Sequence, residues 1–140
     1  MIIIDTNVVS ELMRESPHPA VLAWFADHGA DTLFLTAVSE AELRTGAAIL
    51  PAGQRRDRLV GAIDAMIDQD FAGRILPFDS PAARSYAEIA ASRRTAGKPI
   101  MDADCQIASI ARVRDAAIAT RNVKDFEGSG ISVINPWDAE

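Results

Sequence analysis

Four acidic side chains and one amide are the residues of this chain whose positions best suit metal chemistry. They are Asp5, Glu42, Asp104, Asn122 and Asp125. Carboxylates that converge on one site repel each other, and this repulsion raises their pKa values. A bound Mg²⁺ or Mn²⁺ relieves the repulsion, because hard oxygen ligands without His or Cys select such cations. The set therefore predicts a site for one of these two cations.

Asp5 stands at the end of an apolar run that begins at the first residue. Such a run is typical of a strand that is covered on both faces. In open parallel α/β sheets, ligands bind outside the carboxyl ends of the strands, so an acid here is well placed for chemistry. The competing interpretation is that Asp5 caps the helix that follows, with Thr6 as a second candidate for the cap.

Glu42 lies within a predicted helix over residues 38–50. Apolar or small residues stand four positions before it and four and seven positions after it, and at 100° per residue these fall within about 40° of Glu42. We therefore expect Glu42 to share the buried face and Glu40 to point to solvent. An ionised carboxylate on a buried face is costly unless it is paired or bound to metal. A capping box formed by Ser39 and Glu42 explains the spacing equally well.

Asp104 shows the same pattern in a predicted helix over residues 102–114. Apolar residues stand three, four and seven positions after it, whereas Asp102 lies about 160° away around the helix. We expect Asp104 to face the core and Asp102 to face outward. The alternative is an acid favoured by the helix dipole in the first turn, and that explanation suits Asp102 better.

Asn122 and Asp125 follow a predicted strand over residues 117–120. Their loop leaves the carboxyl end of a strand, as Asp5 does, so both side chains could reach the same cleft. The alternative is an ordinary turn, in which Asn and Asp are common for local reasons.

Strands and helices alternate along the chain, which indicates βαβ units and a mainly parallel sheet of the α/β class. Apolar runs predict strands at residues 1–5, 33–35, 75–76, 117–120 and 131–134. Helical patterns fall at residues 6–13, 19–28, 38–50, 53–70, 80–95 and 102–114. The 140 residues suit a single domain over 1–140.

Composition excludes several classes of protein. The net charge of −6 counts against a general nucleic-acid coat, although a bound cation would invert the sign of an acidic site locally. The single cysteine, Cys105, excludes a disulfide framework and suits a reducing cytosol. His18 and His28 lack a second His or Cys at ligand spacing, which makes a zinc site unexpected. No signal peptide or membrane span is predicted at the start of the chain.

Six segments together resemble the PIN-domain ribonucleases, particularly the VapC and FitB toxins of bacterial type II toxin–antitoxin pairs. The segments IDTNV at 4–8, AELRTG at 41–46, DCQIA at 104–108 and TRNVKDF at 120–126 are similar to the four acidic motifs of the family, in order. RILPFD at 74–79 and NPW at 135–137 are similar to the FitB branch. The match covers nearly the whole chain.

The resemblance implies a three-layer α/β/α PIN-like fold and the hydrolysis of phosphodiester bonds in RNA. It implies a divalent cation, Mg²⁺ or Mn²⁺, held by Asp5, Glu42 and Asp104, with Asn122 and Asp125 completing the catalytic set. Some relatives carry an aspartate where this chain has Asn122. The fourth acidic role is then either lost to an amide or taken by Asp125.

The resemblance also implies partners: an RNA substrate, a cognate antitoxin protein, and assembly as a homodimer and as a toxin–antitoxin hetero-oligomer in the cytoplasm. We expect the antitoxin to bring a basic residue to the acids, because a guanidinium can pair with carboxylates and compete with metal. The predicted helices at 6–13 and 53–70 carry enough apolar residues to form a groove for it, although the second could equally be core or a homodimer face.

Three other functions compete with this interpretation. A catalytically weak PIN-like scaffold that acts by partner binding is compatible with Asn122. A phospho-receiver module has a similar length and a Lys-Pro pair, here Lys98-Pro99, but this chain lacks the adjacent acids after its first strand. A phosphatase of the dehalogenase type would need an aspartate where Asn7 stands.

Overall fold

A five-stranded, all-parallel sheet forms the centre of the computed structural model, which describes residues 1–138. Its spatial order is β3-β2-β1-β4-β5. The strands are β1 Ile2–Ile4, β2 Leu33–Thr36, β3 Ile75–Leu76, β4 Ala117–Ala119 and β5 Val133–Ile134. The expected α/β class and parallel sheet are confirmed. Because all strands run the same way, their carboxyl ends meet at one edge.

Six α-helices in the described residues connect and cover the strands. They are α1 Thr6–Leu12, α2 Pro19–Ala26, α3 Ala37–Ala48, α4 Gln54–Ala65, α5 Ser80–Thr95 and α6 Asp102–Val113. Short 3₁₀ turns occur at Ala30–Thr32 and Val123–Phe126. None of these helices has the length and apolar character needed to cross a bilayer.

Two hydrophobic cores lie on opposite faces of the sheet, which gives the expected three-layer α/β/α arrangement. Successive residues of a strand point to opposite faces, so Ile4 packs with α1 to α4 while Ile3 packs with α5 and α6. Both residues are completely buried. The continuous apolar run at the start of the chain is therefore explained by a central strand with helices on both sides.

Two helices differ from their predicted form. The pattern at 53–70 contains α4 and then a π-helical turn, Met66–Asp70, which directs Met66 and Ile67 into the core. Helix α3 begins one residue earlier than expected, because the Thr36 side chain accepts a hydrogen bond from the Ser39 N–H at 3.1 Å and caps the helix. The alternative interpretation, a capping box between Ser39 and Glu42, is therefore wrong.

A buried arginine fixes the segment that follows β4. Arg93, near the end of α5, is 8% exposed. Its Nε donates to the carbonyl of Lys98 at 2.6 Å, and its Nη1 donates to the carbonyls of Asp125 and Glu127 at 2.8 and 2.9 Å. One side chain thus joins α5, the connection to α6 and the 3₁₀ turn that carries Asp125.

Candidate active site

A cleft of about 500 Å³ opens at the carboxyl ends of β1 and β4. Its walls are formed by α1, α3, α6, the loop after β4 and the last of the described residues. The lining residues are Asp5, Thr6, Asn7, Ser10, Glu11, Arg14, Glu42, Asp104, Arg121, Asn122 and Trp137. Four of the five residues singled out from the sequence therefore line one cleft, and the fifth, Asp125, lies on the loop beside it.

Asp5 is both a helix cap and a cleft residue, so the two interpretations of its position are compatible. The carboxylate is only 5% exposed, and its Oδ1 accepts from the Thr6 N–H at 2.8 Å. Its Oδ2 accepts from the Thr120 hydroxyl at 2.8 Å and from the Asn7 amide at 3.3 Å. Burial raises the pKa of Asp5, while the hydrogen bonds from Thr120 and Thr6 oppose this rise.

Glu42 lies at the cleft but not on a buried face, which corrects the expectation from the helical wheel. The buried stripe of α3 is formed by Ser39, Leu43 and Ala47, and Glu42 stands at its exposed border. The side chain is nevertheless held, because its Oε1 accepts from the Thr6 hydroxyl at 2.8 Å. This contact joins α3 to the first residue of α1 at the mouth of the cleft.

Glu40 was expected to point to solvent, but it is partly buried and paired. Its Oε2 lies 2.8 Å from Arg44 Nε, and Arg44 Nη1 lies 2.7 Å from Asp64 Oδ1 on α4. Arg44, which Glu40 holds, thus joins α3 to α4. Glu40 is the more buried of the two acids, but only Glu42 lines the cleft.

Asp104 and Asp102 face in the predicted directions. Asp104 is partly buried and lines the cleft, whereas Asp102 is exposed and accepts from the Tyr86 hydroxyl at 2.9 Å. The helical phase inferred from the apolar residues after Asp104 is therefore confirmed, since these residues are buried in the second core.

The electrostatics of Asp104 show that the acids form one cluster. Burial chiefly, and then the negative charges of Asp5, Asp125 and Glu42, raise the pKa of Asp104 to about 6, against a lowering effect of Arg93. Acids from three other segments thus act on the Asp104 carboxyl. At neutral pH this cluster concentrates negative charge that a cation would neutralise.

Asn122 and Asp125 occupy different positions in the loop after β4. Asn122 is exposed and lines the cleft, and its backbone N–H donates to the Thr120 hydroxyl at 3.1 Å. Its side chain does not cap the following 3₁₀ turn, so the local-turn explanation does not account for the amide. Asp125 is exposed, and its charge raises the pKa values of Asp5 and Asp104.

A polar stripe on α1 was missed in the sequence. Asn7, Ser10, Glu11 and Arg14 all line the cleft; the spacing of three and four residues after Asn7 places Ser10 and Glu11 on one face of α1 with it, and Arg14 follows just after the helix ends. That spacing is a signal that could have found them. Asn7 also bridges the two strand ends, because its amide donates to Thr120 Oγ1 at 3.2 Å while its Oδ1 accepts a backbone N–H of the loop after β4.

Glu11 is the least expected member of this stripe. It is 6% exposed, and it accepts from Arg14 Nη1 at 3.1 and 3.0 Å and from the His18 N–H at 2.9 Å. The His18 N–H chiefly lowers the pKa of Glu11. The His18 ring itself caps α2, since its Nδ1 accepts from the Ala20 N–H at 3.1 Å.

The donor set of the cleft fits a hard divalent cation. Among residues 1–138, no three His, Cys, Asp or Glu side chains converge closely enough to enclose an ion by themselves. Mg²⁺ does not require such a cage, because it usually keeps several waters and binds through one or two carboxylates plus substrate phosphates. Asp5 and Asp104 offer two carboxylates whose pKa values are raised first by burial and then by the charges of neighbouring acids, and a cation would relieve this repulsion.

Comparisons with known proteins agree with this geometry. Residues 2–127 match the PIN domain family. The chain is 45% identical over 138 residues to VapC ribonuclease Y4jK from Sinorhizobium fredii, covering 99% of each chain, and 41% identical over 137 residues to Toxin FitB from Neisseria gonorrhoeae, covering 98% and 99%. The crystal structure of FitAcB from Neisseria gonorrhoeae matches with a TM-score of 0.93 at 40% identity, covering 99% of both chains. This chain therefore belongs to the PIN domain family, alongside the VapC and FitB proteins.

Proposed function

We propose that this chain, as a single PIN domain over residues 1–140, is the toxin of a type II toxin–antitoxin pair and a Mg²⁺-dependent ribonuclease. The observation that carries the proposal is the convergence of Asp5, Glu42 and Asp104 on one cleft, where burial first, and then the charges of Asp5, Asp125 and Glu42, raise the pKa of Asp104 to about 6. The names of the similar proteins, VapC ribonuclease and Toxin FitB, support it. The reaction is the hydrolysis of a phosphodiester bond in RNA.

Five side chains carry the proposed chemistry. Asp5 and Asp104 would hold a Mg²⁺ or Mn²⁺ ion directly, Glu42 would bind it or orient the attacking water, and Asn122 with Asp125 would complete the site. Once bound, the cation would lower the pKa of a water and neutralise charge on the scissile phosphate. Among the described residues, the cleft contains no Ser or Cys paired with a His that could activate it, so we propose that water attacks the phosphorus.

Neighbouring hydroxyls and amides position these acids. The Thr120 hydroxyl and the Asn7 amide both donate to Asp5 Oδ2, so they fix the direction of the remaining lone pairs. The Thr6 hydroxyl links Glu42 to the start of α1. Such supporting contacts hold ligands in place before the ion arrives, and their loss commonly costs about 10–100-fold in metal affinity or activity.

Metal dependence is tested with the purified chain freed of any partner. It should cleave a structured RNA in Mg²⁺ or Mn²⁺, and cleavage should stop when EDTA is added. A parallel preparation of the Asp104→Asn variant controls for contaminating nucleases, since it should show no cleavage under either condition. Cleavage that continues in EDTA would exclude the proposed mechanism. RNA binding with no cleavage in any divalent cation would favour the alternative of a scaffold that acts by partner binding.

An antitoxin partner is supported by an apolar groove on the other side of α1. The groove has a volume of about 680 Å³ and lies between α1, α2 and the end of α4, as expected for the helices at 6–13 and 53–70. Its lining includes Val9, Leu12, Met13, Leu22, Phe25, Met66 and Phe71. Leu22 is 45% exposed, so an apolar side chain is available to a partner at the rim.

Helix α1 separates this groove from the acidic cleft, because its apolar side lines one and its polar stripe lines the other. We propose that the antitoxin segment fills the groove with apolar side chains and crosses α1 to place an Arg or Lys against Asp5, Glu42 or Asp104. A guanidinium would pair bidentately with these carboxylates and compete with the cation. We also propose that the toxin forms a homodimer and a hetero-oligomer with the antitoxin, which light scattering would measure.

The partner model is tested by co-expression with the neighbouring small gene, co-purification, and titration of RNA cleavage with the partner. Leu22→Glu should weaken the association at least tenfold, because it places a charge at the apolar rim, and it should leave cleavage by the free chain unchanged. Ile49→Glu is the matched control, since Ile49 is 77% exposed and does not line the groove. Full activity at saturating partner would contradict the proposed inhibition.

A further inference from the structure

Among the described residues, two arginines are the basic side chains that line the acidic cleft: Arg14, just after the end of α1, and Arg121, in the loop after β4. The chain carries a net charge of −6, so its overall field repels RNA. Affinity for a phosphate backbone comes from Lys and Arg that neutralise individual phosphates. Any RNA that reaches the acids of this cleft must therefore be held by local cations, and these two arginines are placed to supply them.

Arg121 is held by contacts that leave its donors available. Its Cζ lies 5.1 Å from the centroid of the Trp137 ring, and its backbone N–H donates to Asn7 Oδ1 at 3.2 Å. Within residues 1–138 its guanidinium makes no ion pair. A cation–π contact orients a guanidinium without consuming its five N–H donors. Arg121 is thus an oriented and unpaired cation at the wall of the cleft.

Arg14 is supported by a buried carboxylate. Glu11, with a side chain 7% exposed, receives Arg14 Nη1 on both oxygens, whereas the Arg14 side chain itself is 65% exposed. The backbone N–H of His18 also donates to Glu11, so the anchor is fixed from two directions. Only one of the three guanidinium nitrogens of Arg14 is used, and the others remain free to bind an anion.

A second cavity of about 460 Å³ adjoins the acidic cleft and shares four residues with it. The shared residues are Glu11, Arg14, Arg121 and Trp137. The remaining walls are formed by the segment between α1 and α2, residues Ser16, Pro17, His18 and Pro19. This mixture of proline and aromatic surface with polar atoms suits a sugar and a base, while the two arginines stand where the cavities meet.

We propose that Arg14 and Arg121 bind the phosphate of the RNA nucleotide next to the scissile bond, and that the second cavity receives the sugar and base of that nucleotide beside Trp137. This inference rests on the proposed function, in which the acids contact the scissile phosphate itself. It adds a neighbouring subsite for single-stranded RNA and gives Glu11 the role of a positioning residue for Arg14.

The test measures binding of a short fluorescein-labelled single-stranded RNA to the full chain in the Asp104→Asn background, where the RNA survives. Fluorescence anisotropy over a salt series gives the slope of log Kobs against log salt concentration. Arg14→Gln and Arg121→Gln should each reduce the steepness of that slope by about 0.7, the value for one phosphate contact on a single strand. Arg114→Gln is the control, because it changes net charge equally but lies at the far end of α6 from the acids.

A local readout is available because the chain has only two tryptophans. In a Trp24→Phe background, saturating RNA should change the emission of Trp137. Unchanged emission, or equal slopes in all three arginine variants, would overturn the subsite. EDTA-sensitive cleavage with unaltered KM in both Arg14→Gln and Arg121→Gln would contradict the subsite alone. Reduced slopes in these two variants, without cleavage in any divalent cation, would support the subsite and contradict the proposed function.

Discussion

Replacing Asp104 with asparagine should remove activity and, in the absence of metal, stabilise the fold. The ordinary pKa of this carboxyl is 3.8, and in the folded chain the pKa is raised to about 6. A shift of about two units corresponds to roughly 3 kcal/mol of unfavourable interaction of the ionised form. Because the side chain is partly exposed, solvent screening reduces this, and we expect a gain of about 1–3 kcal/mol at pH 7. Asparagine has nearly the same shape and no charge.

The sign of the pH dependence follows from linkage. Since the folded state holds the Asp104 proton more tightly than the unfolded state does, ionisation of Asp104 destabilises the wild-type chain at high pH. The advantage of Asp104→Asn should therefore be complete above about pH 7, decline as the pH falls through about 6, and vanish near pH 4. Urea unfolding in EDTA at a series of pH values measures this difference directly. Adding Mg²⁺ should stabilise the wild type and leave the variant nearly unchanged.

Asp102→Asn is the matched control, because Asp102 is exposed and bonds only to Tyr86 among the described residues. We expect it to change stability by less than about 1 kcal/mol and to keep most of the activity. Asp104→Asn should lower the cleavage rate more than about 100-fold, beyond the usual effect of a supporting contact. Equal loss of activity in both variants would refute the inferred direction of Asp104. A destabilised Asp104→Asn chain at pH 7 in EDTA would refute the electrostatic reasoning.

Two further comparisons concern other residues singled out in the sequence. Glu42→Gln should reduce RNA cleavage strongly, whereas Glu40→Gln should leave the rate within a fewfold and cost at most about 1 kcal/mol of stability, because Glu40 only pairs with a partly exposed arginine. A chain with Ala at His18, His28 and Cys105 should keep its metal-dependent rate at saturating RNA within a fewfold in a gel assay, because none of the three lines the acidic cleft; loss of the His18 ring from the wall of the second cavity would act on KM instead. The unfolding midpoint of this variant should fall, since the His18 ring caps α2 and the loss of a helix cap costs about 0.5–2 kcal/mol. A large loss of cleavage rate in a triple variant that still folds would indicate that these side chains take part in the reaction.

Much of the fold could be predicted because its signals are local. The apolar run before Asp5 and the separated strand and helix patterns were sufficient for a parallel α/β sheet with strands at nearly the right residues. The direction of Asp104 was also predictable, since α6 has one continuous apolar face on which a helical wheel is reliable. The pairing of strands that are far apart in the sequence could be predicted only from general rules for βαβ units.

For Glu42, the helical wheel predicted the wrong face of α3. Helix α3 buries a stripe of small or medium residues around Leu43, and its buried Ser39 is compatible with the interior because Thr6 and Thr36 bond to it. A wheel that ranks residues by hydrophobicity discounts this serine and gives weight to Ile49, which is 77% exposed. The buried face of α3 thus depends on contacts such as that between Thr6 and Ser39, which are 33 positions apart. A local sequence pattern does not show such contacts.

The contacts of Arg93 bear on how the protein opens locally. Because this one guanidinium donates to carbonyls in two different loops, the turn at Val123–Phe126 cannot detach unless the end of α5 releases it. Backbone amides of that turn should therefore exchange with solvent at rates shared with the last turn of α5, as one cooperative unit. A lysine at this position has a single nitrogen, which could not occupy the separate positions of Nε and Nη1 from which Arg93 reaches the two loops. The loop that bears Asn122 would then fluctuate independently, and the protein would lose part of the rigidity on which its acidic cluster depends.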